Sequence, residues 1–426
     1  MFLVNDDDKT IFRLAVPALG ALAAEPLVAL VDTAFVGRLG EESLAALGVV
    51  TGLLGLAFFV FIALAYASTP LIAAAIGAGD RDRAAMLAGQ TMLIAVFLVV
   101  AGLLVVEAAA PQLVRLMGAA QQVESSAITY LRIRGLGLPA LLAITVGHAV
   151  YRGLGDTRTP MFISLGLSLI NVILDPVLIF GLGWGLAGAG YATVVAQSAG
   201  GAAFVYLFST GRTGLPIRWS LPRRGEMGEL IDAGSALFIR TLVLVATFTV
   251  ATASAARLGV TEVAAHQVAV QVWFFLSLVV DSVAIAAQNL VAAHLARDRK
   301  KARRLSNRMV GWGVAWGVLL AVSFWLLRDI LPGWFTSDRS VMIMAASLMP
   351  FVALSQPLNS VVFVLDGIMI GAADFRFLAL AMTGAAALTC VLLITATSIG
   401  GIWWALIILM VARLLPLIRR YVRVVT

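Results

Sequence analysis

Runs of 23 to 37 residues in this chain contain no Asp, Glu, Lys or Arg. Ser43 to Gly79 is one and Ala84 to Val106 another. Pro176 to Gly211 and Phe377 to Ala412 are each long enough for more than one crossing of a bilayer, or a crossing plus a turn. About 20 apolar residues in a helix span the hydrocarbon core of a membrane. Of the 426 residues, 61% are hydrophobic and 12% charged, against about 25% charged in soluble domains. Such a composition cannot supply a dispersible surface. It also excludes a disordered chain and a disulfide-rich secreted fold. The expectation is an all-α polytopic membrane protein whose surroundings are the lipid bilayer.

The net charge is +7. In a soluble protein that would suggest nucleic acid, but membrane proteins carry excess Lys and Arg on their cytoplasmic loops, so no nucleic-acid partner is expected. Cys390 is the one cysteine and lies in an apolar run. His148, His266 and His294 are scattered without metal-ligand spacing. No cofactor and no resident metal are therefore expected. The N-terminus, Met1-Phe-Leu-Val-Asn-Asp-Asp-Asp-Lys9, is acidic where a signal peptide is basic, and no small-residue cleavage site follows, so the first apolar segment is expected to be retained.

With Gly, Pro and charge clusters taken as breaks, the sequence predicts twelve helices, at about 11–37, 44–76, 84–108, 126–151, 160–183, 186–210, 229–257, 262–295, 308–329, 340–370, 377–398 and 401–420. An even count puts both termini on one side. With the termini inside, 22 Lys and Arg fall on inside segments and five (Arg38, Arg115, Arg257, Arg328 and Arg339) on outside ones, with Arg132, Arg134 and Arg240 within helices. That asymmetry favours a plasma (inner) membrane protein with cytoplasmic termini.

The helices repeat. The first ends Gly37-Arg-Leu-Gly40 and the seventh Ala256-Arg-Leu-Gly259, an offset of 219 residues. Asp80-Arg-Asp-Arg83 after the second matches Asp298-Arg-Lys-Lys301 after the eighth, and Arg152 to Arg158 after the fourth matches Asp366 to Arg376 after the tenth. The predicted organisation is a six-helix lobe at 1–210, a basic linker at 211–228 and a second six-helix lobe at 229–426. Six is even, so the lobes enter the membrane in the same sense. Parallel repeats around a central cavity are a transporter architecture. No Gly-x-x-x-x-Gly-Lys-[Ser/Thr] phosphate loop is present, so an ion gradient must supply the energy.

Ionisable side chains inside spans are costly and mark functional candidates. The first helix carries Glu25 and Asp32, the fifth Asn171 and Asp175 one turn apart, and the sixth Thr193. At 1.5 Å per residue, Asp32, Asp175 and Thr193 lie about 7, 12 and 10 Å below the outer ends of their helices. Four polar groups from three helices of one lobe thus reach one pocket. Two carboxylates in a dry pocket cannot both ionise cheaply, so the pair is expected to load a proton; a polar knot that only holds helices together is the alternative. A carboxylate, an amide oxygen and a hydroxyl also suit Na+ at Asp32, Asn171, Asp175 and Thr193. Glu25 either relays protons or bonds backbone freed by Pro26, which kinks the first helix and is a candidate hinge. In the second lobe Arg240 and Asp281 are at comparable depth and can form a structural ion pair. Asp366 is placed near the inner end of the tenth helix, either as a gate contact or as a solvated helix end. Trp273, Phe274 and Phe275 are candidates for a cavity wall, although lipid-facing aromatics are commoner.

These residues resemble the multidrug and toxic compound extrusion (MATE) transporters, most closely the branch of the DNA-damage-inducible protein F, over nearly the whole chain. The resemblance is carried by Pro17 through Asp32-Thr-Ala-Phe-Val-Gly-Arg-Leu-Gly40, Leu44-Ala-Ala-Leu-Gly48, Arg152-Gly-Leu-Gly-Asp-Thr-Arg-Thr-Pro160, Asn171-Val-Ile-Leu-Asp-Pro176 and Val364-Leu-Asp-Gly367. It implies a MATE-like fold and export of a small cationic, lipophilic molecule in exchange for protons or sodium; a monomer is expected, and no enzymatic activity, since no His-Glu-x-x-His, Cys pair or nucleophile elbow is visible. It also implies that Asp32 is the coupling carboxylate, with Asn171, Asp175 and Thr193 at matching positions. Other branches use acidic residues in the second lobe. Here the seventh helix offers Arg240 instead, which favours the first lobe and protons. A lipid-linked oligosaccharide flippase is the alternative, but it would need a large cationic cavity, and only Arg132, Arg134 and Arg240 approach the membrane interior.

Overall fold

The computed structural model describes residues 5–118, 120–215 and 224–425; part of the predicted linker, with Arg218 and Arg223, lies outside the described residues. All regular secondary structure among them is helical. Among the described residues eleven helices are long and apolar enough to cross a membrane, and two shorter ones, bent by 48° across a short break, pass the same test together and count as a twelfth when taken as one span. The predicted count of twelve is reached with that pair taken as one span, and one predicted helix is corrected. The fourth predicted helix, 126–151, is two: α4 (Gln121–Gly135) and α5 (Leu138–Gly153). The break follows from Gly135 and Gly137, which are poor helix formers, and from Pro139, which suits the first turn of a new helix and not an interior.

The remaining helices are α1 (Asp6–Gly37), α2 (Glu41–Gly77), α3 (Arg81–Leu116), α6 (Arg158–Pro176), α7 (Gly185–Ser209), α8 (Arg224–Leu258), α9 (Val260–His294), α10 (Arg299–Leu326), α11 (Arg339–Gly371), α12 (Phe375–Thr395) and α13 (Ile399–Val424). The internal repeat has a physical basis in how these helices begin. Asp80 accepts from the Arg83 amide at 2.9 Å and starts α3; Asp298 accepts from the Lys301 amide at 2.9 Å and starts α10. Both are N-caps satisfying an orphan backbone donor. At the other matched site, Gly155 (φ 79) follows α5 and Ala373 (φ 58) follows α11. Each is followed by an aspartate whose amide reaches back five residues, Asp156 to Tyr151 and Asp374 to Met369.

The chain divides into two compact units, one of residues 20–234 and the other of residues 1–19 with 235–426. In the first, α2 packs on α3, α4 and α5, and α7 on α4, α5 and α6. In the second, α11 is central, against α9, α10, α12 and α13. Helix α1 contributes to both: its first 14 residues cluster with the C-terminal helices and the rest, from Gly20, with the N-terminal ones. Large apolar side chains such as Phe97, Leu104, Phe162, Leu380 and Val391 are exposed on the outer faces, as a lipid solvent requires. Buried hydroxyls bond to the backbone one turn earlier, as Thr91 does to Leu87 and Thr389 to Ala385, which lets polar residues sit in apolar helices.

Candidate functional site

The N-terminal unit brings Asp32 of α1, Asn171 and Asp175 of α6 and Thr193 of α7 into one buried group. Asp32 is 9% exposed, Asn171 1%, Asp175 0% and Thr193 7%. Their placement follows from local structure. Asn171 and Asp175 are four residues apart and share a face of α6. Pro176 ends that helix, and the chain continues as a π-helical turn, Val177–Gly181. Such widened turns recur at functional sites because they re-aim side chains. Helix α7 comes very close to this turn: a Cβ on Gly188 would lie 2.7 Å from the Leu178 carbonyl oxygen. That contact fixes α7, and so Thr193, against α6.

Within the group the Asn171 amide donates to Thr193 Oγ1 at 3.3 Å, and Thr193 Oγ1 donates to the Ala189 carbonyl at 3.0 Å. The Asp32 and Asp175 carboxyl groups lie within interaction range of each other. Neither oxygen of Asp175 meets a protein donor, and neither Oδ1 of Asp32 nor Oδ1 of Asn171 does. Buried carboxylates are normally paired with a cation or multiply hydrogen-bonded. These two instead lie beside each other, an arrangement that a single shared proton relieves.

Two neighbours were not singled out as site residues in the sequence. Arg134 of α4 lies within electrostatic reach of Asp32, Asp175 and Glu25, and its Nη1 is buried without a partner. Tyr130, one turn earlier on α4 and 3% exposed, senses both aspartates. The signal that finds them is the i, i+4 spacing of two polar residues on the span that also contains the helix break. A wall of Val36, Val50, Val114, Leu131, Ile179 and Ala189 packs alongside.

Glu25 is exposed on α1, within electrostatic reach of Arg134, and makes no hydrogen bond among the described residues. Pro26, beside it, is interior to α1, which continues from Asp6 to Gly37.

In the C-terminal unit Asp366 is 4% exposed and accepts from both Arg240 of α8 and Arg413 of α13. Asp366 thus has its partners within its own unit. Asp281, on α9, is half-buried. Arg413, counted from sequence among the cations at the C-terminal end, is 2% exposed in the interior of its unit. No group of three or more His, Cys, Asp or Glu among the described residues has metal-holding geometry.

Comparison with known proteins gives a consistent result. The MatE family model matches residues 17–177 and 236–418. The chain is 33% identical over 421 residues to Protein DETOXIFICATION 44, chloroplastic, of Arabidopsis thaliana, covering 95% of this chain and 80% of that protein. It is 26% identical over 360 residues to the probable multidrug resistance protein NorM of Neisseria meningitidis serogroup B, covering 82% and 78%. A crystal structure of a MATE protein in a bent conformation superposes with a TM-score of 0.92 at 22% identity, covering 99% of this chain and 96% of that one. The Vibrio cholerae MATE transporter VcmN in its bent form gives 0.88 at 21%, covering 97% and 98%. Two six-helix repeats, a membrane-spanning composition and a family match along both halves lead to one assignment: the chain belongs to the MatE family and is a multi-pass membrane transporter, not an enzyme.

Proposed function

We propose that this transporter is an antiporter that exports cationic, lipophilic drugs or toxic metabolites in exchange for protons, from a plasma membrane in which both termini are cytoplasmic. The observation that carries the reading is the buried pair of Asp32 and Asp175, whose carboxyl groups lie within interaction range of each other with no basic side chain in contact. With both ionised, the pair attracts a cation. With a proton shared between them, the attraction falls by about one unit of charge. A group that alternates between those two states can exchange a bound organic cation for H+. The proton arrives from the side where it is concentrated, substrate leaves there, and the proton leaves after the lobes have rocked. The name of the Neisseria relative, a probable multidrug resistance protein, supports a drug-like substrate.

A second reading rests on Asn171 Oδ1, which meets no protein donor beside the two carboxylates. Together with Thr193 Oγ1 it makes a set of hard oxygen ligands that suits Na+. Efflux of a fluorescent cationic dye from proteoliposomes, with proton and sodium gradients imposed separately, distinguishes the two. The expected result is efflux driven by the pH gradient alone and abolished by Asp32→Asn in a folded protein. Efflux that persists in Asp32→Asn, or that follows only the sodium gradient, refutes proton coupling at this pair.

A further inference from the structure

Helix α10 begins Arg299-Lys-Lys-Ala-Arg-Arg304 and α13 ends Arg419-Arg-Tyr-Val-Arg423. The fold stitches these two ends together. Arg299 Nη2 donates to the Val424 carbonyl at 2.7 Å, the Tyr421 hydroxyl donates to Asn307, and Arg303 lies within electrostatic reach of Tyr421. Some of the positive charge gathered there is neutralised locally: Arg304 by Asp7, Arg308 by Asp8 and Arg420 by Asp374. Lys300, Arg303, Arg419 and Arg423 are exposed and have no ion-pair partner among the described residues. On α13, Ile418 and Val422 are 44% and 54% exposed and alternate with Arg419 and Arg423 along the last two turns. The end of this unit is therefore a charged patch continuous with a lipid-facing apolar strip.

A soluble acidic partner would need only the charges. The apolar strip beside them selects an amphiphile whose negative group sits at the bilayer surface. We propose that this patch holds an anionic phospholipid, its phosphate on Lys300, Arg303, Arg419 and Arg423 and its acyl chains along Ile418 and Val422. Basic clusters at the ends of membrane spans attract such lipids, and basic pockets between neighbouring spans hold their headgroups. The arginines offer two-pronged contacts to phosphate oxygens.

The test uses the full chain purified in an uncharged detergent and titrated with palmitoyl-oleoyl phosphatidylglycerol or the phosphatidylcholine of the same chains. Retained lipid is read by native mass spectrometry and stability by thermal melting. Phosphatidylglycerol is expected to be retained and to raise the melting temperature, and phosphatidylcholine to do neither. Changing Lys300, Arg303, Arg419 and Arg423 together to Gln should weaken phosphatidylglycerol binding by about a thousandfold. If that protein does not fold, Arg419→Gln with Arg423→Gln alone should weaken it about thirtyfold. Neutralising Arg38, Arg115, Arg158 and Arg212, exposed on the other unit, should leave binding unchanged. Equal retention of the two lipids, an equal loss in the control variant, or displacement of the lipid by glycerol phosphate at matched concentration would each overturn the proposal.

Discussion

Arg308 places Nε and Nη2 each 2.6 Å from one oxygen of the Asp8 carboxylate, and the Trp312 indole N–H donates to the same group at 2.6 Å. Asp8 is fully buried. It also closes a capping box: the Asp8 amide donates to the Asn5 side chain at 3.0 Å, and the Asn5 amide donates to the Asp8 carboxylate at 2.8 Å. Phe12 meets the Trp312 ring edge-on with 4.7 Å between centroids. The first turns of α1 are thus tied to α10 by one carboxylate with four donors.

Asp8→Ala removes that carboxylate and leaves a guanidinium and an indole N–H with no acceptor. Losing one partner of a buried charged network is far costlier than losing an exposed pair. The melting temperature of the detergent-purified protein, followed by tryptophan fluorescence, is expected to fall by about 5 °C. Asp8→Asn, which keeps an acceptor but not the charge, should fall between the two. A change below about 1 °C in Asp8→Ala would contradict a structural role for this contact.

Asp175 and Thr193 should respond differently to substitution. Asp175→Asn keeps the shape of the pair but removes one of its two carboxyl groups, and dye export is expected to be lost while the melting temperature changes little. Thr193→Val removes only the acceptor that orients the Asn171 amide. A hydrogen bond of this kind is worth about 1 kcal/mol net, so export should fall about fivefold and not vanish. Equal activities in the two variants would mean that Asp175 carries no titrating role.

The placement of this pair was readable from the sequence because depth in a membrane helix is simple arithmetic and buried carboxylates are rare enough to stand out. Asp32, Asp175 and Thr193 were predicted at similar depths, and the structure gathers them. Arg413 was not readable in the same way. It lies among Arg419, Arg420 and Arg423 in sequence, and only packing against α11 distinguishes it as a buried ligand of Asp366. The break between α4 and α5 was signalled by Gly135, Gly137 and Pro139, but membrane helices tolerate all three, so the signal could not separate a kink from a break. The attachment of the first 14 residues of α1 to the C-terminal helices has no local sequence signal, since Asp7 and Asp8 read equally well as a solvated helix start.

Asp366 is the shared counter-charge of Arg240 and Arg413. Asp366→Ala leaves Arg413 buried and without its carboxylate, which should destabilise the protein by about 3–5 kcal/mol and appear as poor recovery of folded protein from membranes. Replacing both members, Asp366→Leu with Arg413→Leu, removes the buried charge together with its partner. Apolar replacement of a buried pair is often nearly neutral, so the double variant should recover much of the lost yield. If it is no better than Asp366→Ala, the instability comes from Arg240 or from packing.

Gly188 tests whether the close approach of α7 to the π-helical turn positions the site. A methyl group there would meet the Leu178 carbonyl carbon and oxygen at 2.7 Å and the Ile179 nitrogen at 2.9 Å. All three are backbone atoms and cannot rotate away as a side chain end would. Gly188→Ala must therefore push α7 off the turn, at a cost of about 1–3 kcal/mol. Because Thr193 lies five residues further along α7, its hydroxyl moves with the helix and the contact with Asn171 lengthens. The variant should lose stability and export together. Gly166→Ala, at a position where an added methyl meets nothing within 4 Å, should lose neither. A Gly188→Ala protein that exports dye at the parent rate would show that the distance between α6 and α7 at this level does not set the geometry of Asn171 and Thr193.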